Sequence, residues 1–403
     1  MKILHTSDLH LGHRLLEQSQ YEEQHLFLQW LLTAITEENV HVLLIAGDIF
    51  DNGAPSAQSL KLYYDFLVDL RQTPCQHVFV TGGNHDAPGM LEAPKELLQA
   101  LSVQVVGKAT DNPENEVFRI EEDDEQLVVA AVPFLRDQDI RRALGGENYD
   151  EVSEKYKKAL ISHYREMADC CRKATASNVP VIAMGHLFAV GGKASDSEQS
   201  IYVGGLGDIA AGDFPKIFDY IALGHLHGPQ TVQGYETIRY SGSPYILSFS
   251  EINQPKSVVF IETDQTSVTT IRLLPVPCFR PVRSIQGTVG ECQAAMQRLS
   301  EEKHALTPWI EVILNDEQDK LVSASDINKL AEPLHVEVLK VSYGQPKTIQ
   351  GIEQLLDEGI QVSELNPEQV FRKKCDEEGY NLVERPDLLE AFNEILQQLN
   401  EEK

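Results

Sequence analysis

The chain has no apolar run long enough to cross a membrane, no cysteine framework and few basic residues for its length. A spanning helix needs about 20 apolar residues in succession, and no window comes near that. The N-terminus leads straight into a strand pattern, without the basic segment, apolar segment and small-residue cleavage site of a secretory signal. The six cysteines (Cys75, Cys170, Cys171, Cys278, Cys292, Cys375) show no C-x-x-C spacing. That speaks against a zinc ribbon or disulfide scaffold, and a cytoplasmic location is expected. Also missing is G-x-x-x-x-G-K-[ST], so this chain supplies no P-loop for ATP. Lys and Arg total 34 against 62 Asp and Glu, a formal net charge of −28. DNA binding by charge alone is therefore disfavoured, because counterion release on phosphate contacts supplies most of the affinity of a free-standing DNA-binding domain.

What is present is the composition of a soluble globular protein, with 42% apolar and 24% charged residues. A chain of 403 residues exceeds one compact core, so two or three domains are expected. Residues 1–110 alternate strand and helix, which predicts a partly parallel sheet covered by helices. A hairpin follows from Val117, then a long helix over about 151–174, then strands closing at 237–240, 257–261 and 268–274. Pro275-Val276-Pro277 marks a boundary. Residues 276–344 read as a small α+β domain, and 345–403 as a linker followed by two amphipathic helices. The first helix carries an N-terminal Asn366-Pro367-Glu368-Gln369 signature. In the second, Leu388, Leu389, Phe392, Ile395, Leu396 and Leu399 share one face. The expected fold class is α/β, a β-sandwich flanked by helices, with the α+β domain and the helical segment appended.

Five short blocks lie in order along the first 227 residues: Asp8-x-His10, Gly47-Asp48-x-x-Asp51, Gly83-Asn84-His85-Asp86, Gly185-His186 and Gly224-His225-x-His227. Each follows an apolar run of strand type, so the side chains fall just past strand C-termini, where ligands bind in α/β folds. Asp8 with His10, and His225 with His227, are two apart and share a face of extended chain. The Gly82-Gly83 pair permits a tight turn before Asn84, whose carboxamide oxygen can ligate a cation. Any one block is a weak signal, and an Asp at a strand end more commonly caps a turn. All five at the same end of successive strands point to one metal centre. Carboxylate, carboxamide and imidazole without thiolate suit a hard or borderline divalent pair such as Mn²⁺. Of the other histidines, His13 alone sits in a loop beside these blocks.

The blocks resemble the calcineurin-like metallophosphoesterase superfamily. Their wording (HTSDLHLG, AGDIFDNG, GNHD, GHL, ALGHLH and RYSGSPYILSFSE) resembles the SbcD family of bacterial nuclease subunits over residues 1–275. Residues 278–342 resemble that family's capping domain, and the C-terminal helices its partner-binding segment. The resemblance implies one metal held by Asp8, His10 and His227, and a second held by Asn84, His186 and His225. Asp48 would bridge the two. It implies His85 as a general acid, oriented by Asp51 or Asp86, with Asp51 preferred. It further implies 3′-to-5′ exonuclease action on double-stranded DNA and endonuclease action on single strands and hairpins. The implied partner is an SbcC-type ABC ATPase with a long coiled coil, joined by a homodimer of this chain in a heterotetramer. Two rival readings remain at this stage: a small-substrate phosphoesterase or phosphatase of the same superfamily, and a non-catalytic adaptor for the ATPase. Phosphatases of this fold place Arg and Glu where this chain has Asn52 and Asp86. The adaptor has to contend with a full set of competent side chains. Two divalent cations would add four positive charges against Asp8 and Asp48, so the local field can be positive in an acidic protein.

Overall fold

The computed structural model describes residues 1–122, 125–136, 149–175, 179–193, 209–315 and 322–343. Its elements, in chain order, begin with β1 (Lys2–Thr6), the short pair β2 (Arg14–Leu15) and β3 (Gln18–Ser19), α1 (Tyr21–Glu38), β4 (Val42–Ala46) and α2 (Ala57–Asp69). They continue with β5 (His77–Thr81), α3 (Pro88–Glu92), α4 (Lys95–Gln99), β6 (Val103–Val106), β7 (Val117–Glu122), β8 (Glu125–Ala130), α5 (Tyr149–Ala174) and β9 (Val181–His186). Next come β10 (Tyr220–Gly224), β11 (Gln230–Val232), β12 (Tyr235–Tyr240), β13 (Ser257–Thr263) and β14 (Val268–Pro275). The chain closes with β15 (Val282–Gly287), α6 (Val289–Glu301), β16 (Trp309–Leu314), α7 (Ala324–Ala331) and β17 (Glu337–Tyr343).

Two six-stranded sheets form the sandwich, ordered β14-β13-β1-β4-β5-β6 and β11-β12-β10-β9-β8-β7. In the first, β1, β4, β5 and β6 run parallel; in the second, β8, β9, β10 and β12 do. The central strands are buried on both faces, which is why they read as unbroken apolar runs. In β4, Val42, Leu44 and Ala46 face the opposite sheet, while Leu43 and Ile45 pack under α1 and α2. In β9, Ile182 and Met184 face inward, while Val181 and Ala183 meet Leu160, Tyr164 and Met167 of α5. The result is four layers, helix–sheet–sheet–helix, each strand contributing alternate residues to two cores.

Helix starts follow their capping chemistry. Ser56 accepts from the Ser59 N–H at the head of α2. Thr288 with Glu291, and Ser323 with Asp326, form capping boxes for α6 and α7. The two capped helices belong to a three-stranded α+β module ordered β15-β16-β17, with Cys292, Met296, Ile310, Val312 and Ile327 in its own core. Arg280 fastens the module to α1: its guanidinium bonds Glu22 at 2.8 Å and Glu23 at 2.5 Å and lies 4.2 Å over the Trp309 ring. Val282 and Trp309 also pack with Ile246, Phe249 and Ile252, the turn that follows the Ser-Gly-Ser-Pro segment.

Among the described residues no helix is long and apolar enough to cross a membrane. Most of the Gly191–Gly207 loop and the two amphipathic helices from Asn366 onward lie outside the described residues.

Candidate metal centre

Parallel strands bring their C-terminal ends into line, and the register fixes how. Ala46 pairs with Thr81 in one sheet, and Gly224 with His186 in the other. The sheets are joined at those ends by the Ala46 carbonyl, 3.0 Å from His186 Nδ1, and by Ser7 Oγ, 2.7 Å from Ser241 Oγ. The turns leaving the strands are unusual. Asp8, His10, Asp48 and His225 all have positive φ (53°, 39°, 48° and 107°), a region that non-glycine residues seldom enter. Asp and His tolerate it better than most, and such residues cluster where surrounding bonds hold them in place. Here the bonds are on hand: the Asp8 and His10 N–H groups donate to the Gly47 and Asp48 carbonyls at 3.1 and 2.9 Å. Close packing explains two of the glycines. A Cβ on Gly83 would lie 2.1 Å from Asp48 Oδ1, and one on Gly47 2.1 Å from His186 Nδ1.

The side chains converge. Asp48 Oδ2 lies 3.2 Å from His186 Nε2 and 3.6 Å from His10 Nε2, with an imidazole on each side. Asn84 Oδ1 is 2.9 Å from the same His186 Nε2. Asp8, His10 and His227 offer ligand atoms within 4.8 Å of one another, as do Asp8, Asp48 and His186. The His225 ring lies 5.4 Å from that of His186, and the His225 backbone N–H donates to Asp8 Oδ1 at 2.9 Å. All seven side chains named from sequence therefore meet in one place. His10 is buried between two carboxylates: Nδ1 faces Asp51 Oδ1 at 3.5 Å, while Nε2 faces Asp48 Oδ2 at 3.6 Å without a hydrogen bond. A buried imidazole nitrogen left open beside a carboxylate fits a cation, not a packed core. The donor set of oxygen and imidazole nitrogen fits a divalent one.

Electrostatics agree. Burial pushes Asp8 up to about 6, against the pull of His186 and His227. Burial lowers His10 to about 4 and, with the neighbouring charge of His186, lowers His225 to about 3, so both imidazoles are neutral and free to ligate. Burial would also raise Asp48, but His186 and His10 outweigh it and hold the carboxyl well below the usual carboxylate range. His186 is the exception: burial would lower it, yet the Asp48 carboxylate carries it up to about 9. A protonated His186 must lose its proton to ligate, so between about pH 6, above which Asp8 is ionised, and about pH 9 cation uptake should release about one proton and affinity should rise about tenfold per pH unit. Titration calorimetry with Mn²⁺ in two buffers of different ionisation enthalpy measures this. Heats independent of the buffer would contradict it.

His85 stands beside the cluster, its ring 4.8 Å from that of His10. Its backbone N–H donates to Asp48 Oδ1 at 2.9 Å, and its Nδ1 lies 2.8 Å from the backbone carbonyl of Asp51. The Asp51 carboxylate points elsewhere, to His13 Nδ1 at 2.7 Å and His10 Nδ1 at 3.5 Å. Asp86 does not reach His85 with its carboxylate either. It accepts from the N–H groups of Ile49, Phe50 and Gly83 at 2.9–3.1 Å and ties the second block to the third. His10, His13, Asp51, His85 and His227 line an open cleft of about 420 Å³.

One member of the centre was missed from sequence. Glu251 is fully buried, with Oε1 3.2 Å from His227 Nδ1 and Oε2 2.6 Å from Lys256 Nζ. The RYSGSPYILSFSE segment ends on Glu251, but nothing in its spacing predicts which histidine it meets.

Residues 1–229 match the family model of the calcineurin-like phosphoesterases. The chain belongs to that family. A second family model, described as the type 5 capsule protein repressor C-terminal domain, matches residues 278–379 of this calcineurin-like phosphoesterase. Relatives named as the D subunit of the nuclease SbcCD are similar over nearly the whole chain. The one from Escherichia coli (strain K12) is 32% identical, covering 99% of this chain and 98% of its own. That from Bacillus subtilis (strain 168) is 29% identical over 100% and 99%. That from Rhodobacter capsulatus is 32% identical over 86% and 88%.

Proposed function

We propose that this phosphoesterase is a two-metal-dependent DNA nuclease of the SbcD kind, acting in DNA end processing. The observation that carries the two-metal reading is the Asp48 carboxylate set between His186 and His10. Asp8, His10 and His227 would hold one cation, Asn84, His186 and His225 the other, with Asp48 shared and Mn²⁺ the preferred ion. Bound there, two cations supply Lewis-acid polarisation of a phosphodiester and a water of lowered pKa. The chain's own part is to aim them and manage the proton. The Asp51 carbonyl accepts from His85 Nδ1, leaving Nε2 as the nitrogen that can protonate a leaving oxygen, and this makes His85 the general acid. Asp51 then contributes through its backbone to His85 and through its carboxylate to His10 and His13.

The name of the relatives supports pairing with a second protein, and we assign that partner as an SbcC-type ABC ATPase. Residues 1–275 are the nuclease domain in this reading, 276–344 the capping domain, and 345–403 the ATPase-binding segment. A homodimer of this chain belongs to the same reading. The activities assigned are 3′-to-5′ exonuclease on duplex ends and endonuclease on single strands and hairpins. Linear duplex and hairpin DNA should be degraded with Mn²⁺ and the ATPase, and a chelator should abolish the reaction. Removing residues from Asn366 onward should end co-purification with the ATPase while sparing hydrolysis of a small phosphodiester. The charge of −28 favours the rival small-substrate reading. Turnover of nucleotides or aryl esters with both DNAs left intact would establish that rival.

A further inference from the structure

Glu251 sits at the end of a short 3-10 turn, Phe249–Glu251, packed beneath the α+β module through Phe249 and Ile252. Its two carboxylate oxygens have different duties. Oε2 meets Lys256 Nζ at 2.6 Å, the Leu247 N–H at 3.2 Å and Ser243 Oγ at 3.4 Å, which anchors the turn. Oε1 is directed to His227 Nδ1 at 3.2 Å. Lys256 completes the arrangement: its Nζ also donates to the His227 carbonyl at 3.1 Å and to Ser243 Oγ at 2.8 Å. His227 is thus gripped at its ring by the carboxylate and at its backbone by the ammonium. The carboxylate and ammonium form a neutral pair, with side chains 0% and 8% exposed, so the grip adds no net charge to a centre that already holds Asp8 and Asp48.

We propose that Glu251, with Lys256 as its counter-ion, is a positioning residue that fixes His227 as the Nδ1–H tautomer and presents Nε2 to the cation. The chemistry requires such a group. An imidazole ligates through a nitrogen lone pair, and the proton must be parked on the other nitrogen. A carboxylate at that second nitrogen holds the ring's orientation and raises its basicity as a ligand. His186 receives the same service from a neutral acceptor, the Ala46 carbonyl, at 3.0 Å. His227 differs in having a charged acceptor, which makes it the stronger donor to its metal.

The inference rests on the reading of the centre as a cation site, and the test separates the two. Mn²⁺ binding is followed by electron paramagnetic resonance of the free ion. The tautomer of His227 is read from long-range ¹H–¹⁵N spectra of ¹⁵N-histidine-labelled, metal-free protein. Glu251→Gln should weaken Mn²⁺ binding about 10–100-fold and leave His227 in mixed tautomers. Because that change strands a buried ammonium, the double variant Glu251→Gln with Lys256→Met is measured too. Removing both charges of a buried pair costs far less stability than removing one. The double variant should melt near the wild-type temperature and show the same loss of Mn²⁺ affinity. Wild-type affinity and an unchanged His227 tautomer in the double variant would overturn the proposal while leaving the cation reading intact. No Mn²⁺ uptake by the wild type would overturn both.

Discussion

If Asp48 bridges two cations as proposed, Asp48→Ala should reduce Mn²⁺-dependent phosphodiester hydrolysis by more than about 100-fold and lower the number of Mn²⁺ ions bound from the proposed two to at most one. The expectation follows from where the carboxylate lies. Its Oδ2 is within 3.2 Å of His186 and 3.6 Å of His10, members of the two different ligand sets. Loss of an outer hydrogen-bond partner of a metal ligand typically costs about 10–100-fold, and loss of a ligand shared by both cations should exceed that. The same side chain accepts the His85 backbone N–H at 2.9 Å, so the loop that carries the proposed acid loses a support at the same time. Equilibrium dialysis gives the stoichiometry, and a chromogenic phosphodiester gives the rate. A variant that still binds two ions would show that Asp48 does not bridge.

His85→Ala should act differently, with DNA cleavage lowered by about 10²–10⁴-fold while Mn²⁺ stoichiometry and affinity stay as in the wild type. Here the substrate supplies the control. Cleavage of DNA expels an alkoxide-like oxygen that needs a proton, whereas a p-nitrophenyl ester expels a stable phenolate that does not. The loss should therefore be large on DNA and small on the aryl ester. Equal losses on both substrates would mean that His85 stabilises the phosphate itself and is not the proton donor.

The parts of this protein that are legible in its sequence share a physical cause. Strands such as Val42–Ala46 and Tyr220–Gly224 are buried on both faces, and that burial writes an unbroken apolar run into the chain. Side chains placed directly after such runs inherit a known location, so Asp8, His10, Asp48, Asn84, His186, His225 and His227 are grouped by sequence alone. Glu251 is not. Its partner lies 24 residues away in sequence, and the pairing depends on how the turn after Pro244 packs beneath the α+β module. Asp51 shows a second kind of opacity. Its identity suggests a carboxylate role toward His85, while the contact is made by a backbone oxygen that every residue type possesses. The left-handed conformations of Asp8 and Asp48 are invisible for a similar reason: they are imposed by bonds to Gly47 and between blocks, and not by local preference.

The pairing of β1 has a consequence for biosynthesis. The first strand of the sandwich lies between β4 and β13, and β13 is made some 250 residues later. Asp8 likewise waits for the His225 N–H, 217 positions along, and Ser7 waits for Ser241. Contacts this distant form late, and a chain emerging from the ribosome cannot make them until most of the sandwich has been translated. A nascent fragment therefore carries scattered carboxylates and imidazoles but no hydrolytic centre. A nascent chain that ends before His227 lacks part of the ligand set, and β1 gains its β13 neighbour only after that set has been translated.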